Sequence, residues 1–338
     1  MTTPGSPAGK AAPTESVNTA GGPAVAIVIA SRDRPHLLKQ ALASLPAALR
    51  PGDQAMVVDS WSRTAGVRRA AEEAGVTVAR AERPGLAHAR NLGVSATTAP
   101  VLAFTDDDCL LHPDWTAFIV AALDDPSIGF VTGPVHPDRS TPRTISVTLD
   151  AEPALYRSGV TRGSSARIQR IVRGHGANMA WRREVLVGIG GFDEALGAGG
   201  PFRSAEDTDA FWRALRAGWA GRYDPALVVT HQQWRGHGGY LATRFGYGYG
   251  AGGLAAKQVR LGDLTWRAAA GTAIWEQGAR QAWRDLRNGY ETGAAGGLAQ
   301  AAGAIVGVAR GVRHPLLDGL FGPGQLTGPA TGSTPNTP

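Results

Sequence analysis

The sequence predicts an α/β fold in which a mostly parallel sheet is covered on both faces by helices. Continuous apolar runs of four to six residues recur along the first third of the chain, and such runs mark strands that are buried on both faces. Stretches with helical spacing of apolar residues separate these runs, and the connections are short. Strands that alternate with helices in this way build a parallel sheet, so we expect ligands to bind beyond the carboxyl ends of the strands.

The first half of the domain follows this alternation element by element. The apolar run at residues 25–30 is the first predicted strand. Pro35 suits the first turn of the helix predicted for residues 36–49, because proline lacks the N–H that a first turn leaves unpaired. The elements that follow are a strand at 55–59, a helix at 67–74, a strand at 76–79, a helix within 85–97 and a strand at 101–104.

Beyond residue 108 the pattern becomes mixed. Residues 139–173 are irregular and polar, and they separate two groups of predicted elements. These elements are a helix at 115–123, a strand at 128–132, a strand at Trp181, a short helix from Arg183, a helix at 205–218 and a strand that begins with residues 226–229 and ends at His231.

The composition divides the 338 residues into four predicted parts. Residues 1–22 and 323–338 are rich in proline, glycine and threonine, so we predict a disordered arm and a disordered tail. The arm has no apolar core and does not match a signal peptide. Residues 23–235 form the predicted α/β domain, and residues 236–322, with helical spacing of alanine, glycine and tryptophan, form a predicted helical extension.

Charge and cysteine content exclude some classes of partner. The net charge is +6, yet the arginines are scattered and form no basic strip, so we expect no nucleic-acid binding. The single cysteine, Cys109, excludes an intramolecular disulfide and a CxxC metal site. This usage fits a reducing compartment, and we predict a cytoplasmic location.

Three consecutive carboxylates, Asp106, Asp107 and Asp108, follow the predicted strand at 101–104. Adjacent unit charges repel by about 1 kcal/mol in water and by several times that at a lower effective dielectric constant. A bound cation relieves this cost, and carboxylate oxygens are ligands that Mg²⁺, Mn²⁺ and Ca²⁺ prefer. The stretch therefore predicts a divalent-cation site, with a solvated acidic turn as the alternative.

Seven short motifs follow one another across residues 24–235. They are Ile-Ala-Ser-Arg-Asp-Arg-Pro at 29–35, Val-Val-Asp-Ser at 57–60, Gly-Leu-Ala-His-Ala-Arg-Asn-Leu-Gly at 85–93, Phe-Thr-Asp-Asp-Asp at 104–108, Gly-Ala-Asn-Met-Ala at 176–180, Gly-Gly-Phe-Asp-Glu at 190–194 and Ala-Glu-Asp-Thr-Asp at 205–209. Together they resemble a family-2 inverting glycosyltransferase with the GT-A fold. Each motif is weak alone, but their order and spacing are specific. The resemblance implies a Rossmann-like sheet and transfer of a sugar from a nucleotide diphosphate.

The resemblance also implies a metal site for Mn²⁺ or Mg²⁺. The family's Asp-x-Asp motif matches Asp106 and Asp108, with Asp108 as the favoured direct ligand. Because the triplet is ambiguous by one position, Asp107 can take either role. His231 resembles the additional metal ligand of many members, and a purely structural histidine is the alternative.

On the donor side, Asp59 resembles the acid that binds the nucleobase, and a turn cap is the alternative. Two departures leave the base open: Ser60 and Trp61 stand where the motif usually continues with Asn-Gly, and Asp33 replaces a more usual asparagine. Arg90 is either a bidentate phosphate ligand or an ordinary surface arginine. The nucleotide-sugar site predicted from the resemblance comprises Ser31, Asp33, Asp59, Arg90, Asp106, Asp107 and Asn178.

On the acceptor side, Glu206 and Asp207 resemble the family's acid pair. An inverting displacement needs a carboxylate that deprotonates the acceptor hydroxyl. We predict Asp207 as this general base and Glu206 as its orienting neighbour, and the two roles can be exchanged. The alternative is charge at a helix N-terminus, worth about 0.3–1 kcal/mol.

The resemblance implies a nucleotide-diphosphate sugar donor and an acceptor hydroxyl on a saccharide, a lipid-linked sugar or a small molecule. The setting it suggests is bacterial polysaccharide, glycolipid or glycoconjugate synthesis. A sugar nucleotidyltransferase is the alternative enzyme, but its Gly-rich phosphate loop is replaced here by residues 31–35. A non-catalytic sugar-nucleotide-binding or membrane-associated scaffold is the other alternative, and the retained acids argue against it.

The extension carries an amphipathic pattern. Trp275, Ala279, Ala282, Trp283, Leu286 and Tyr290 fall roughly on one helical face, and arginines line another. This pattern suits peripheral contact with the inner face of a membrane or, alternatively, a cover over the catalytic domain. Residues 294–308 are apolar but short and interrupted by glycine and Gln300, so we do not predict a membrane span there.

Overall fold

The computed structural model describes residues 22–141, 143–156 and 174–322. Eleven strands form two sheets within these residues. The strands are β1 (Val25–Ser31), β2 (Gln54–Asp59), β3 (Thr77–Arg80), β4 (Val101–Asp106), β5 (Cys109–Leu111), β6 (Ile128–Thr132), β7 (Val135–Pro137), β8 (Ala154–Tyr156), β9 (Asn178–Arg182), β10 (Ala220–Tyr223) and β11 (Val229–His231).

The larger sheet has the order β3-β2-β1-β4-β9-β6-β10-β8. Its first four strands are parallel, β9 lies antiparallel between β4 and β6, β10 is parallel to β6, and β8 closes the edge antiparallel to β10. The smaller sheet, β5-β11-β7, stands next to the acidic triplet. The predicted mixed α/β architecture with a mostly parallel central sheet is therefore confirmed.

Eleven described helices cover the sheet and build the extension. They are α1 (Pro35–Ala43), α2 (Leu45–Ala48), α3 (Gly66–Glu73), α4 (Leu86–Ser95), α5 (Trp115–Ala122), α6 (Arg183–Gly188), α7 (Glu206–Arg216), α8 (His237–Arg260), α9 (Trp266–Ile274), α10 (Arg280–Arg287) and α11 (Glu291–Arg313), with one π-helical turn, Trp275–Ala279, between α9 and α10.

The alternation of side chains along β1 explains why its whole run is apolar. Ile27 and Ile29 pack into the core on one face of the sheet, and Val28 packs into the core on the other. On that second face Trp181 stacks on Phe211, with ring centroids 5.3 Å apart. Because both faces are covered, a polar residue at any of these positions would be buried without a partner.

Three local predictions differ from the structure. The helix predicted for residues 36–49 is broken at Ser44, because Pro46 cannot donate the bond that would continue it. The last strand begins at Val229 rather than at Ala226, and it ends at His231 as predicted. The short strands β5, β7, β8 and β10 were not predicted, since three or four residues carry too little periodicity. Most of the predicted arm and all of the predicted tail lie outside the described residues.

The extension packs through glycine. A Cβ placed on Gly252 of α8 would lie 2.1 Å from the carbonyl oxygen of Ala304 on α11, and one on Gly307 would lie 2.1 Å from that of Tyr249. Larger residues at these positions would push the two helices apart, so the glycine content of the extension sets their close approach. Of the described helices, α11 alone is long and apolar enough to cross a membrane by length and composition, and 44% of its most apolar window is buried within the protein.

A buried ion network ties the extension to the α/β domain. The Lys257 Nζ on α8 donates to Asp193 Oδ2 and to Asp209 Oδ1, each at 2.7 Å. Asp209 lies on α7 and also accepts a hydrogen bond from Arg213 Nε at 2.8 Å. The side chains of Lys257, Asp193 and Asp209 are all fully buried. The extension is thus bonded to the helix that carries the predicted acid pair.

Candidate active site

The carboxyl ends of β1, β2 and β4 meet at one edge of the sheet. Ser31 pairs in register with Asp59, and Ala30 with Asp106. The parallel strands deliver these side chains together, as expected for a parallel sheet. The acids predicted from the sequence therefore stand at one end of the fold.

The acidic triplet is divided between two environments. The side chain of Asp106 is 27% exposed and lines the main cleft of the protein. Asp107 is fully buried, accepts a hydrogen bond from Ser31 Oγ at 2.6 Å and pairs with Arg34 Nη2 at 2.5 Å. Burial raises the pKa of Asp107 to about 7, although Arg34 opposes the rise. Ser31 and Asp107, both predicted as nucleotide-sugar ligands, bind each other here, and neither lines the main cleft.

Asp108 is buried beside His231, because β5 pairs with β11 and sets Cys109 opposite His231. The two side chains approach with Asp108 Oδ1 3.5 Å from His231 Nε2. Trp234 Nε1 donates to Asp108 Oδ2 at 2.8 Å. Burial alone would raise the pKa of Asp108, but the charge of His231, in the acid range where its ring is protonated, and the charge of Arg34 hold the pKa below its usual value. His231 lines the cleft and Asp108 stands behind it, so Asp106 and not Asp108 is the cleft-facing acid of the triplet.

The protonation of His231 follows from its neighbour Gln233. The amide of Gln233 is oriented by Ile145, whose N–H and carbonyl bind the Oε1 and Nε2 atoms, both at 3.1 Å. Gln233 Nε2 therefore donates to His231 Nδ1 at 2.8 Å. Burial lowers the pKa of His231, so the ring is neutral and its proton lies on Nε2, toward Asp108. Coordination of a metal through Nε2 would require this proton to move to Nδ1 and the Gln233 amide to turn.

Arg90 links the two groups of acids. It is 1% exposed, and its guanidinium donates to Asp106 Oδ1 at 3.1 Å, to Glu206 Oε1 at 2.8 Å and to the Gly176 carbonyl at 2.9 Å. The sequence left two roles open for Arg90, a phosphate ligand or a surface arginine. In the structure the side chain is buried and bonded to acids, so it is neither a free phosphate ligand nor a surface arginine. Arg90 instead fixes the distance between the triplet and α7.

Glu206 and Asp207 begin α7 directly after Ala205, which has a positive φ of 76°. Asp207 Oδ2 accepts a hydrogen bond from the Gly176 N–H at 2.7 Å, and Oδ1 accepts one from the Thr208 N–H at 2.6 Å. Burial and the neighbouring charge of Asp207 raise the pKa of Glu206 to about 7. Both acids line the cleft that holds Asp106 and His231.

The cleft has a volume of about 1370 Å³ and is walled by both parts of the chain. Its inner part contains the acids and His231. Its outer part is lined by side chains of the extension, chiefly amides, hydroxyls and arginines: Thr243, Arg244, Tyr247, Gln277, Gln281, Arg284 and Gln300. The volume exceeds that of a typical small-ligand pocket of about 300–1,000 Å³, so the cleft has room for two substrates side by side.

A second cavity of about 330 Å³ lies at the ends of β2 and β3. Asp59 lines it, accepting hydrogen bonds from the Ser62 N–H at 2.8 Å and from Arg80 Nη1 at 2.6 Å. One oxygen of Asp59 thus caps a turn, as in the alternative considered from the sequence, and the other binds Arg80. Asp33 lies nearby with a φ of 56°, and a hydrogen bond from the Arg63 N–H lowers its pKa.

Asn178 does not face the cleft, contrary to the sequence-based expectation. It is fully buried on β9, where its Oδ1 accepts from Trp115 Nε1 at 3.1 Å and its Nδ2 donates to the carbonyls of Pro134 and Leu227 at 2.8 and 2.6 Å. These three bonds use its polar atoms to join β9 to neighbouring segments. Asn178 therefore has a structural role in this state.

The residues around Asp108 were missed by sequence reasoning. The guanidinium of Arg34 lies 5.2 Å from the Trp234 ring centroid and that of Arg235 lies 4.6 Å from it. The available signal was a dense run of polar and aromatic residues that begins with the last residue of β11, His231, and ends at Arg235. Two of these aromatic and basic groups contact an acid that the sequence had singled out.

The central sheet, its flanking helices and the acids at its strand ends together match the GT-A fold of glycosyltransferases. The sequence pattern described as Glycosyltransferase like family 2 matches residues 23–246. This match spans more than half of the chain, and the chain belongs to that family.

Similar proteins agree with this assignment. The pre-mycofactocin glycosyltransferase of Mycobacterium tuberculosis is 27% identical over 239 residues, covering 68% of this chain and 44% of the relative. The glucosyl-dolichyl phosphate glucuronosyltransferase of Haloferax volcanii is 27% identical over 121 residues, 35% of this chain and 38% of the relative. The chain thus spans less than half the length of these curated relatives.

Among solved structures, the mannosyltransferase PcManGT from Pyrobaculum calidifontis, in complex with GDP-Man and Mn²⁺, superposes with a TM-score of 0.57. It is 21% identical, and the alignment covers 85% of this chain and 88% of that one. S. aureus TarS 1–349 gives a TM-score of 0.50 at 15% identity, covering 66% and 63%. At these identities the similarity establishes the fold.

Proposed function

We propose that this protein transfers a sugar from a nucleotide-diphosphate donor to an acceptor hydroxyl, with inversion at the anomeric carbon and with Mn²⁺ or Mg²⁺ bound. One observation carries the proposal: an acid of the triplet, Asp106, and the candidate base, Asp207, line the same cleft. Arg90 bonds to both Asp106 and Glu206 and so holds the two acidic groups in a defined relation.

The donor occupies both cavities in this proposal. The base lies in the cavity at the ends of β2 and β3, which is lined by the ion pair of Asp59 and Arg80, and a base that bonds to either residue would have to share or replace this pair. The sugar lies in the main cleft, beside Asp106. The structural neighbour PcManGT was solved with GDP-Man and Mn²⁺, which supports this class of donor.

The metal proposal rests on the chemistry of the donor set. Carboxylate oxygens suit Mn²⁺ and Mg²⁺. Asp106, which faces the cleft, would hold the ion, and the predicted ligands Asp108 and His231 would join it only if Asp108 gave up its hydrogen bond from Trp234. No cluster of three or more metal-type side chains is already gathered among the described residues, and the proton on His231 Nε2 would have to move. When bound, the ion neutralises charge on the departing diphosphate.

In the proposed reaction, the Asp207 carboxylate accepts the proton of the acceptor hydroxyl while the hydroxyl oxygen forms a bond to the anomeric carbon. The bond between that carbon and the phosphate oxygen breaks on the opposite face, and its electron pair leaves with the nucleotide diphosphate. Glu206 is the alternative base, because a carboxyl with a pKa of about 7 is a stronger base than an ordinary one.

Thermal unfolding with UDP, GDP, dTDP and CDP, each with and without Mn²⁺, tests the donor site. We expect one diphosphate to raise the unfolding temperature, and to do so only with the metal. No shift with any of the four would overturn the donor assignment.

The Asp207→Asn variant tests the base. Asparagine keeps one oxygen for the Gly176 N–H, so we expect the nucleotide-dependent shift to persist. Release of nucleoside diphosphate with a panel of saccharide and lipid-linked acceptors should fall by about 10²–10⁴-fold. Asp125→Asn, at an exposed acid that also caps a backbone N–H, is the matched control. If Asp207→Asn loses nucleotide binding to the same extent as activity, the residue is structural. If Asp207→Asn keeps full activity and Glu206→Gln loses it, the roles of the two acids are exchanged.

A further inference from the structure

The extension displays an exposed aromatic patch, defined by Trp275, Trp283, Leu286 and Tyr290. These side chains are 61, 57, 62 and 55% exposed. The large side chains of this face therefore do not cover the α/β domain, in contrast to the alternative considered from the sequence. Large apolar groups at such exposure, gathered on one short helical segment, indicate a surface that meets something apolar.

A second apolar stripe adjoins the patch on α11. Leu298, Ile305 and Val312, spaced by seven residues, are 60, 56 and 57% exposed. Helices α10 and α11 are in contact, since a Cβ on Gly297 of α11 would lie 3.0 Å from the Cβ of Ala282 on α10. Ten of the fifteen exposed large hydrophobic side chains in the described residues lie within residues 264–317, so the feature belongs to the extension and not to the surface at large.

Arginines accompany the exposed apolar groups. Residues 264–317 contain six arginines and no lysine, against three acids. One acid, Glu276, is paired with Arg280 at 2.6 Å, and the Arg287 guanidinium lies 4.7 Å from the Trp283 ring centroid. The Arg287 charge therefore lies directly over an exposed aromatic ring, and this excess of arginine beside apolar side chains matches an apolar layer bounded by negative charge.

We propose that the aromatic patch and the α11 stripe dock on an anionic phospholipid membrane, lying in its interface. A second copy of the chain is a poorer occupant, because self-association would bring the arginines of the two copies together. A membrane span by α11 is a poorer arrangement as well, because its glycine face is already packed against α8.

The docking places the cleft beside the lipid. The same helix α10 that displays Trp283 and Leu286 lines the cleft with Gln281 and Arg284. An acceptor carried in the membrane would then reach the cleft without leaving the interface. Only this step rests on the proposed function.

Flotation of the full chain with vesicles tests the docking. We expect the protein to float with 7:3 phosphatidylcholine–phosphatidylglycerol vesicles, weakly with phosphatidylcholine alone, and less in 0.5 M NaCl. The double variant Trp283→Ser/Leu286→Ser should lower the partition coefficient at least about tenfold. Its matched control is Trp61→Ser/Leu149→Ser, which removes 45% and 61% exposed side chains outside the extension, and it should stay within about twofold of the wild type.

Two outcomes overturn the proposal: wild-type protein that stays at the bottom of the gradient, or the two double variants losing flotation equally. Light scattering on the same samples identifies the competing occupant. A wild-type dimer that becomes a monomer in Trp283→Ser/Leu286→Ser, without vesicle binding, would assign the surface to self-association. The nucleotide-dependent thermal shift, measured in parallel, separates failure of docking from failure of the proposed function.

Discussion

Replacing Lys257 by methionine tests whether the extension and the catalytic domain are one folding unit. Lys257 lies beyond the boundary at residue 235 that the sequence predicts, yet its buried Nζ holds Asp193 and Asp209, each at 2.7 Å. Methionine fills most of the same volume, so the main loss is the charge. Two buried carboxylates then lose a shared cation, and removing one partner of a buried ion pair costs about 3–5 kcal/mol.

The remaining contacts set the size of this effect within that range. Asp193 keeps hydrogen bonds from the N–H groups of Phe321 and Gly322 at 2.7 and 3.0 Å, and Asp209 keeps Arg213 at 2.8 Å. Neither acid is left without a donor, so we do not expect a larger loss. The free energy of unfolding of Lys257→Met should therefore fall by about 3–5 kcal/mol.

Urea unfolding at pH 7, followed by tryptophan fluorescence, measures this difference. The matched control is Lys39→Met, which removes the lysine of a surface pair with Glu73 whose side chains are 55% and 60% exposed. Exposed pairs contribute about 0–1 kcal/mol. A Lys257→Met variant whose unfolding free energy lies within about 1 kcal/mol of the Lys39→Met value would refute the coupling.

Two further predictions concern Glu206, a member of the candidate acid pair, and the glycine contact between α8 and α11. The folded-state pKa of Glu206 is raised from 4.5 to about 7, so its contribution to stability is complete below pH 4.5 and is lost as the pH rises through 7. Between pH 4.5 and pH 7 the free energy of unfolding of the wild type should fall by up to about 3 kcal/mol relative to that of Glu206→Gln. Thermal unfolding of both proteins from pH 4.5 to 8 measures this, and a difference between them that does not change with pH would contradict the prediction. Gly252→Val should lower the unfolding temperature strongly, because its Cβ would meet the Ala304 carbonyl at 2.1 Å, whereas Gly271→Ala, with nothing within 4 Å, should be neutral or stabilising.

The strand ends were predictable because the information is local. A continuous apolar run predicts a strand buried on both faces, and parallel neighbours carry their following residues to one edge. Ser31, Asp59 and Asp106 meet for this reason alone. The acid pair at the start of α7 was also within reach, since it belongs to a motif whose order along the chain is specific.

The partners of these residues were not predictable, because they are remote in sequence. Ser31 is 76 residues from Asp107, and Arg90 is 116 residues from Glu206. A pattern of residue types states which side chains are polar, but the choice of partner depends on the packed fold. The same reason places Asn178, which looked like a sugar ligand, in the core with three structural bonds.

The largest difference between the sequence-based prediction and the structure concerns the role of the extension. Its composition resembles an appendage, but glycine contacts pack α11 on α8, Lys257 binds α8 to α7, and α10 supplies one wall of the cleft. The family match ends at residue 246, within α8, while Gln277, Gln281 and Gln300 lie beyond it. In the proposed reaction, an acceptor placed against Asp207 would extend toward these amides. Chains that share the acids but differ after residue 246 would then share the chemistry and differ in the acceptor.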